Sequence, residues 1–299
     1  SMRKHPIILG MLLLIVLAVV MYIFFYGIGA RSGKSKSFSL NDQIGVVTIE
    51  GVITDSREII EQLEDFGKDD SIVAVVLRID SPGGGVAASQ EIYDAVVELK
   101  KRKKVVVSMG SVAASGGLLI ACGADKIVAN SGTITGSISA IMQFANVQEL
   151  FKKIGLKASA VKSGKYKDIG SPLREMTPEE RKIIQDLVDD IYNQFVDVIV
   201  RDRKIPREKV IDIADGRVFS GSQALRYGLV DYLGNMGAAA RLASQLAGRN
   251  GKYDLVYPPQ KRASIFDYMF ESAANQLNRS LQQKNENWGG VGYLYRPSL

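Results

Sequence analysis

Histidine and cysteine are almost missing from this chain of 299 residues: His5 and Cys122 are the only ones. A Ser-His-Asp or Cys-His machine needs an imidazole beside its nucleophile, and His5 sits at the start of the chain ahead of a long apolar run. Zinc sites built from His and Cys are excluded by count, and one thiol closes no intrachain disulfide. No P-loop spacing and no G-x-G-x-x-G is present. No metal or cofactor is therefore expected. An enzyme with this composition works with Ser, Thr, Lys, Asp, Glu, Tyr or backbone groups.

Charge is missing from one region. Residues 6–30 hold no Asp, Glu, Lys or Arg, and residues 7–26 are almost wholly apolar. About 20 such residues span a ~30 Å hydrocarbon core, and a cleaved signal peptide has a shorter apolar region. Residues 1–30 are therefore expected to be an uncleaved transmembrane anchor in a lipid bilayer. Arg3 and Lys4 before the run face Arg31, Lys34 and Lys36 after it, so charge leaves the orientation open. Residues 31–43 read as a juxtamembrane linker. The net charge of +6 is mild. The one dense cationic run, Lys100 to Lys104, lacks interleaved aromatics and reads as a solvated helix end, so no nucleic acid is expected.

The remaining chain alternates short β-branched runs with amphipathic stretches, the pattern of an α/β fold. Strands are expected at residues 44–49, 72–79, 104–109, 126–129, 138–144, 158–162 and 253–257. Helices are expected at 56–66, 86–103, 116–122, 177–203, 221–227 and 237–246. The Thr177-Pro178-Glu179-Glu180 start of the longest helix combines an N-cap, a first-turn proline and acids. Residues 44–257 make one domain. Residues 258–299 read as a C-terminal helix, over 264–283, and an irregular aromatic tail that could pack at a subunit interface or lie in a neighbour's groove like a substrate.

Two glycine clusters follow buried strands: Asp80-Ser81-Pro82-Gly83-Gly84-Gly85, and Gly110 to Gly117 around Ser115. The first is expected to be a tight loop, and residues 110–115 a small-residue loop. Loops at strand ends of α/β sheets are where sites form. Ser115 would open an apolar helix, with the Gly116 amide and one from Gly83 to Gly85 forming a pair of oxyanion donors. With no histidine at hand, the base would be a neutral lysine. Lys162, Lys165 and Lys167 share one polar segment, and spacing does not choose among them.

The ordered set of motifs resembles bacterial signal peptide peptidase A, a membrane Ser/Lys endopeptidase on the ClpP/crotonase-like fold. It comprises the two glycine clusters, Ala124-Asp125-Lys126, Thr135-Gly136-Ser137-Ile138, Lys162-Ser163-Gly164-Lys165-Tyr166-Lys167-Asp168, Ser171-Pro172-Leu173-Arg174, Ala214-Asp215-Gly216-Arg217 and Gly228-Leu229-Val230-Asp231. The resemblance implies Ser115 as nucleophile and Lys167 as general base. It implies Gly84 and Gly116 as the oxyanion hole and Ser137 as the lysine's support. It implies a single-pass protein of the cytoplasmic membrane with an extracytoplasmic catalytic domain, acting on remnant signal peptides. It also implies a homo-oligomer, expected to be an octamer, with each dyad shared between subunits. The alternatives are a related Ser/Lys peptidase of stomatin-like proteins, a crotonase-type acyl-CoA enzyme and a non-enzymatic membrane scaffold.

Overall fold

The computed structural model describes residues 14–17, 19–21, 42–259 and the backbone of 292–294. Residues 1–40 and 41–299 are separate units. In the first, residues 14–17 and 19–21 are helical and exposed. Most of the expected anchor, the linker up to residue 41 and the expected helix at 264–283 lie outside the described residues. No helix among the described residues is long and apolar enough to cross a membrane.

The second unit is an α/β domain. Its elements run β1 (Asp42–Glu50), α1 (Arg57–Lys68), β2 (Ile72–Ser81), β3 (Gly83–Gly85), α2 (Val86–Lys100), β4 (Lys104–Ala114), α3 (Gly116–Cys122), β5 (Lys126–Ala129) and β6 (Ile134–Gly136). They continue with α4 (Gln148–Lys153), α5 (Pro178–Arg203), α6 (Arg207–Ile211), β7 (Val218–Ser220), α7 (Gly221–Arg226), β8 (Tyr232–Leu233), α8 (Met236–Leu246), β9 (Tyr253–Val256) and β10 (Gly292–Leu294). The main sheet is ordered β7-β6-β4-β2-β1-β9, with β5 branching from β4 and β8 pairing with β5. Within this sheet, among the described residues, only the β6–β7 pair is antiparallel.

Period-2 alternation divides the central strands between two cores. Val75, Leu77 and Ile79 of β2 and Val105, Val107 and Met109 of β4 face a large core under α1, α2, α3 and α5. Ala74, Val76 and Val106 face a smaller core closed by Ala239, Ala240 and Ala243 of α8. Being covered on both faces explains why these strands read as continuous apolar runs. Phe195 of α5 is completely buried in the larger core, a burial that stabilises by roughly 1.5–3 kcal/mol.

Several local expectations need correction. The tight loop expected after Asp80 is a short strand, β3, paired along one edge with Gly292–Leu294, while Ile53 bridges to Gly84. The loop expected at residues 110–115 is the far half of β4, whose Val112 to Ala114 pair with β6 after Val106 to Met109 have paired with β5. Residues 138–144 and 158–162 are not strands. Ser137, at φ 53°, ends the extension of β6, and Ile141, Phe144 and Val161 beyond it are exposed rather than packed in a sheet. Ser56, which the sequence offers as the N-cap of the helix expected at 56–66, stands at that position in α1 but gives its hydroxyl to Glu91 instead of capping. The tail is not irregular throughout: Gly292–Leu294 pairs antiparallel with Gly83–Gly85 of the same chain.

Other expectations hold. Thr177 and Glu180 form a reciprocal capping box at the start of α5, with Pro178 in its first turn. The cationic run ends α2 in local partnerships, Lys101 with Glu98 at 2.6 Å, Lys103 with the Ile72 carbonyl at 2.6 Å and Lys104 with Asp125 at 3.3 Å.

Candidate active site

β4 delivers Ser115 to the start of α3. The last rung of the β4–β6 ladder, just before Ser115, pairs Ala114 with Gly136. The Ser115 amide donates to the Gly136 carbonyl at 2.8 Å, and the Ser115 carbonyl accepts from Leu119 at 3.0 Å. Caught between strand and helix, Ser115 takes φ 53° and ψ −117°. A non-glycine residue in that region is strained, and such strain concentrates at functional sites. Ser137 follows Gly136 and is also at φ 53°, its amide donating to the Arg217 carbonyl at 2.8 Å. One hydrogen bond therefore joins the backbones of Ser115 and the pair Gly136-Ser137. Both hydroxyl-bearing residues are buried.

The two glycine clusters meet at this point. The carboxylate of Asp80 accepts from the Val112 amide at 3.0 Å, tying the end of β2 to β4. A Cβ on Gly116 would lie 2.4 Å from Ser89 Oγ and 3.4 Å from Gly83 Cα, so α3 starts hard against β3 and α2.

Among the three glycines of β3, the hydrogen bonds single out one. The Gly83 amide donates to Ser81 Oγ at 3.1 Å, and the Gly83 carbonyl accepts from Ile53 at 2.9 Å. The Gly85 amide donates to the Ile53 carbonyl at 2.8 Å. Successive peptides of a strand point to opposite edges, so the Gly84 peptide faces away from Ile53. That is the edge on which Gly292–Leu294 lies, with Tyr293 opposite Gly84. A Cβ on Gly84 would sit 2.0 Å from the Ile53 carbonyl oxygen. Only glycine fits there.

The lysine segment is held differently. It has no apolar core, and ionic contacts order it. Arg174 donates Nε to Asp168 Oδ2 at 3.0 Å and Nη2 to Asp168 Oδ1 at 2.9 Å, and also donates Nη1 to Glu180 Oε2 at 2.7 Å. Lys162 pairs with Asp168 as well, at the same Oδ1. Arg174 and Lys162 hold the Asp168 carboxyl far below the usual range. Arg174 and the Thr177 amide hold Glu180 down to about 2. Lys165 and Tyr166 both donate to Glu179, and this contact raises the Lys165 pKa. Two of the three candidate lysines are thus committed to carboxylates. Lys167 is exposed and, among the described residues, has no hydrogen bond to Ser115 or Ser137. The structure therefore brings together Ser115, Ser137, Gly116 and Gly84 and leaves Lys167 apart in the single chain. Cys122 lies in the core at the end of α3, and burial pushes its thiol up to about 12.

Sequence reasoning missed the Arg174 clamp and Ser89. Arg174 had a signal, a lone arginine between two acids in a polar segment ahead of a capping box. Ser89 had none, being one small residue on an apolar helix face.

Comparison with known proteins gives the family. Residues 97–250 match the profile of peptidase family S49, and residues 32–154 that of Clp protease. A Synechocystis protein, slr0021, named as a protease, is 51% identical over 175 residues, covering 58% of this chain and 63% of its own. An Enterococcus faecium protein bearing the name of signal peptide peptidase SppA is 36% identical over 208 residues, 65% of this chain and 60% of its own. Protease 4 of Haemophilus influenzae is 35% identical over 228 residues, 72% of this chain and 37% of its own. The chain thus spans less than two thirds of the length of each of these relatives. Fold and matches together define a peptidase-family chain with a Clp-protease-like α/β domain. The chain belongs to peptidase family S49.

Proposed function

We propose that this chain is a membrane-anchored Ser/Lys endopeptidase that degrades remnant signal peptides, with its dyad completed between subunits of a homo-oligomer, an octamer. Ser115 is the nucleophile, Lys167 the general base, Ser137 the support of the lysine amine, and Gly84 and Gly116 the oxyanion donors. The observation that carries this reading is the extended segment Gly292–Leu294 lying along the Gly84 edge of β3, where a peptide substrate would run as an added strand. Exposed Ile141, Phe144, Leu150, Leu156 and Val161 around the lysine segment favour a second copy of the chain as its cover. The apolar run at residues 7–26 favours an anchor, and with it a cytoplasmic-membrane location with the catalytic domain outside. The name borne by the Enterococcus relative favours signal peptides as substrates.

In the reaction, neutral Lys167 Nζ takes the proton of Ser115 Oγ as that oxygen bonds to the scissile carbonyl carbon. The carbonyl oxygen gains the negative charge and is held by the Gly84 and Gly116 amides. The C–N bond then breaks, and the Lys167 ammonium returns its proton to the leaving amine. Water attacks the acyl-serine with the same lysine as base and restores Ser115.

Ser115→Ala and Lys167→Ala should each abolish hydrolysis of a peptide ester. Co-assembled at equal ratio, the two dead variants should regain about one quarter of wild-type turnover, since a ring of heterologous contacts pairs an intact serine with an intact neighbouring lysine at that frequency. No recovery would refute the shared dyad. Full activity of Lys167→Ala would refute the lysine base.

A further inference from the structure

Among the described residues, one buried side-chain oxygen or nitrogen lacks a hydrogen-bond partner: Ser89 Oγ. Ser89 is the fourth residue of α2 and has no exposed surface. Buried hydroxyls are almost always paired, and one left unpaired costs stability. Alanine would fit the same helix position at less cost and with higher helix propensity. The orphan also lies at one particular place. Its oxygen is the nearest atom to the position a Gly116 side chain would take, at 2.4 Å, with Gly83 Cα next to it at 3.4 Å. Three groups therefore meet: the α-carbon beside one oxyanion amide, the strand carrying the other, and an unpaired hydroxyl wedged against them. A local cost without local return is the mark of a functional position.

We propose that Ser89 is a positioning residue of the oxyanion hole. This rests on the peptidase reading of Ser115 and Gly116. The Ser89 oxygen fills the space behind Gly116 and holds its α-carbon by a Cα–H···O contact, which keeps the adjacent amide aimed into the site. Removing the oxygen leaves a gap into which the Gly116 peptide can retreat towards α2. A displacement of a few tenths of an ångström weakens the bond to the oxyanion but not the binding of the uncharged substrate.

Ser89→Ala in the 299-residue chain tests this. The expected result is a kcat about tenfold lower with KM within about twofold of wild type, a peptide boronate inhibitor weakened by the same factor as kcat/KM, and a Tm unchanged or higher. Unchanged kcat would overturn the proposal and leave the orphan a packing defect. A lowered Tm would overturn it as well, since the hydroxyl would then be a structural bond. A wild-type protein that neither turns over peptide ester nor acylates Ser115 with a serine-directed phosphonate would sink the peptidase reading itself, which keeps the two failures apart.

Discussion

Replacing Gly84 by alanine should damage both the fold and the chemistry, by separable amounts. The added methyl carbon would stand 2.0 Å from the Ile53 carbonyl oxygen and 2.6 Å from its carbon and nitrogen. These are backbone atoms and do not swing aside, so β3 must move. Moving it stretches the bonds from Ile53 to Gly83, at 2.9 Å, and from Gly85 to Ile53, at 2.8 Å. Each is worth about 0.5–1.5 kcal/mol, and overpacking adds about 1–3 kcal/mol. The loss is therefore about 2–6 kcal/mol, and at roughly 2–4 °C per kcal/mol for a domain of this size Tm should fall by at least about 4 °C. If the Gly84 amide also serves the oxyanion, kcat falls by about 10²–10³ at temperatures where the variant is still folded. Gly132→Ala is the control: no atom lies within 4 Å of its added carbon, so Tm should shift by less than about 0.5 kcal/mol's worth. Thermal denaturation and phosphonate acylation of Ser115 read the two effects. A Gly84→Ala protein with wild-type Tm would refute the packing of β3 on Ile53. A lowered Tm with a wild-type acylation rate would refute Gly84 as a donor while leaving the fold argument intact.

Other outcomes can be checked together. Arg174→Gln leaves Asp168 and the nearly buried Glu180 without their shared partner, so turnover should drop well beyond any change in KM, while Arg174→Lys restores part of it. Glu180 has a folded-state pKa of about 2, below its unfolded value. Its contribution to stability is full above about 4.5 and fades as pH falls towards 2, so Tm measured between pH 5 and 2 should decline less steeply in Glu180→Gln. A lysine base predicts kcat/KM that climbs from neutral to alkaline pH, and a flat profile from about pH 5 to 9 would contradict it. The Cys122 thiol, pushed up to about 12 by burial, should resist alkylation by iodoacetamide in the native protein and react once denatured.

The α/β alternation was legible because strands buried on both faces are long apolar runs and α5 announces itself with Thr177, Pro178 and Glu180. Ser115 was legible as a serine among small residues ahead of an apolar helix. The joint between β4 and β6 was not. Val112 to Ala114 look like a loop because Gly110 and small side chains surround them, and only pairing with Ile134–Gly136 makes them a strand. Residues 138–144 misled in the opposite sense: β-branched and apolar content signals burial, not the partner that supplies it. Spacing left three lysines open. Ionic partners in the fold account for Lys162 and Lys165, which hydropathy and periodicity do not register. The choice of Lys167 came from the motif resemblance alone.

β3 is built of three consecutive glycines, so it has no side chains with which to inspect a guest. What it offers on its Gly84 edge is bare main chain, and main chain can answer only main chain. A guest must arrive with its own N–H and C=O groups uncommitted. A segment still wound into a helix or stitched into a sheet has spent them internally and has nothing to exchange. The occupant seen there meets that condition: Gly292–Leu294 lies along the edge as a bare extended segment, and under the proposed function a substrate that takes its place must be just as unwound before its sequence counts.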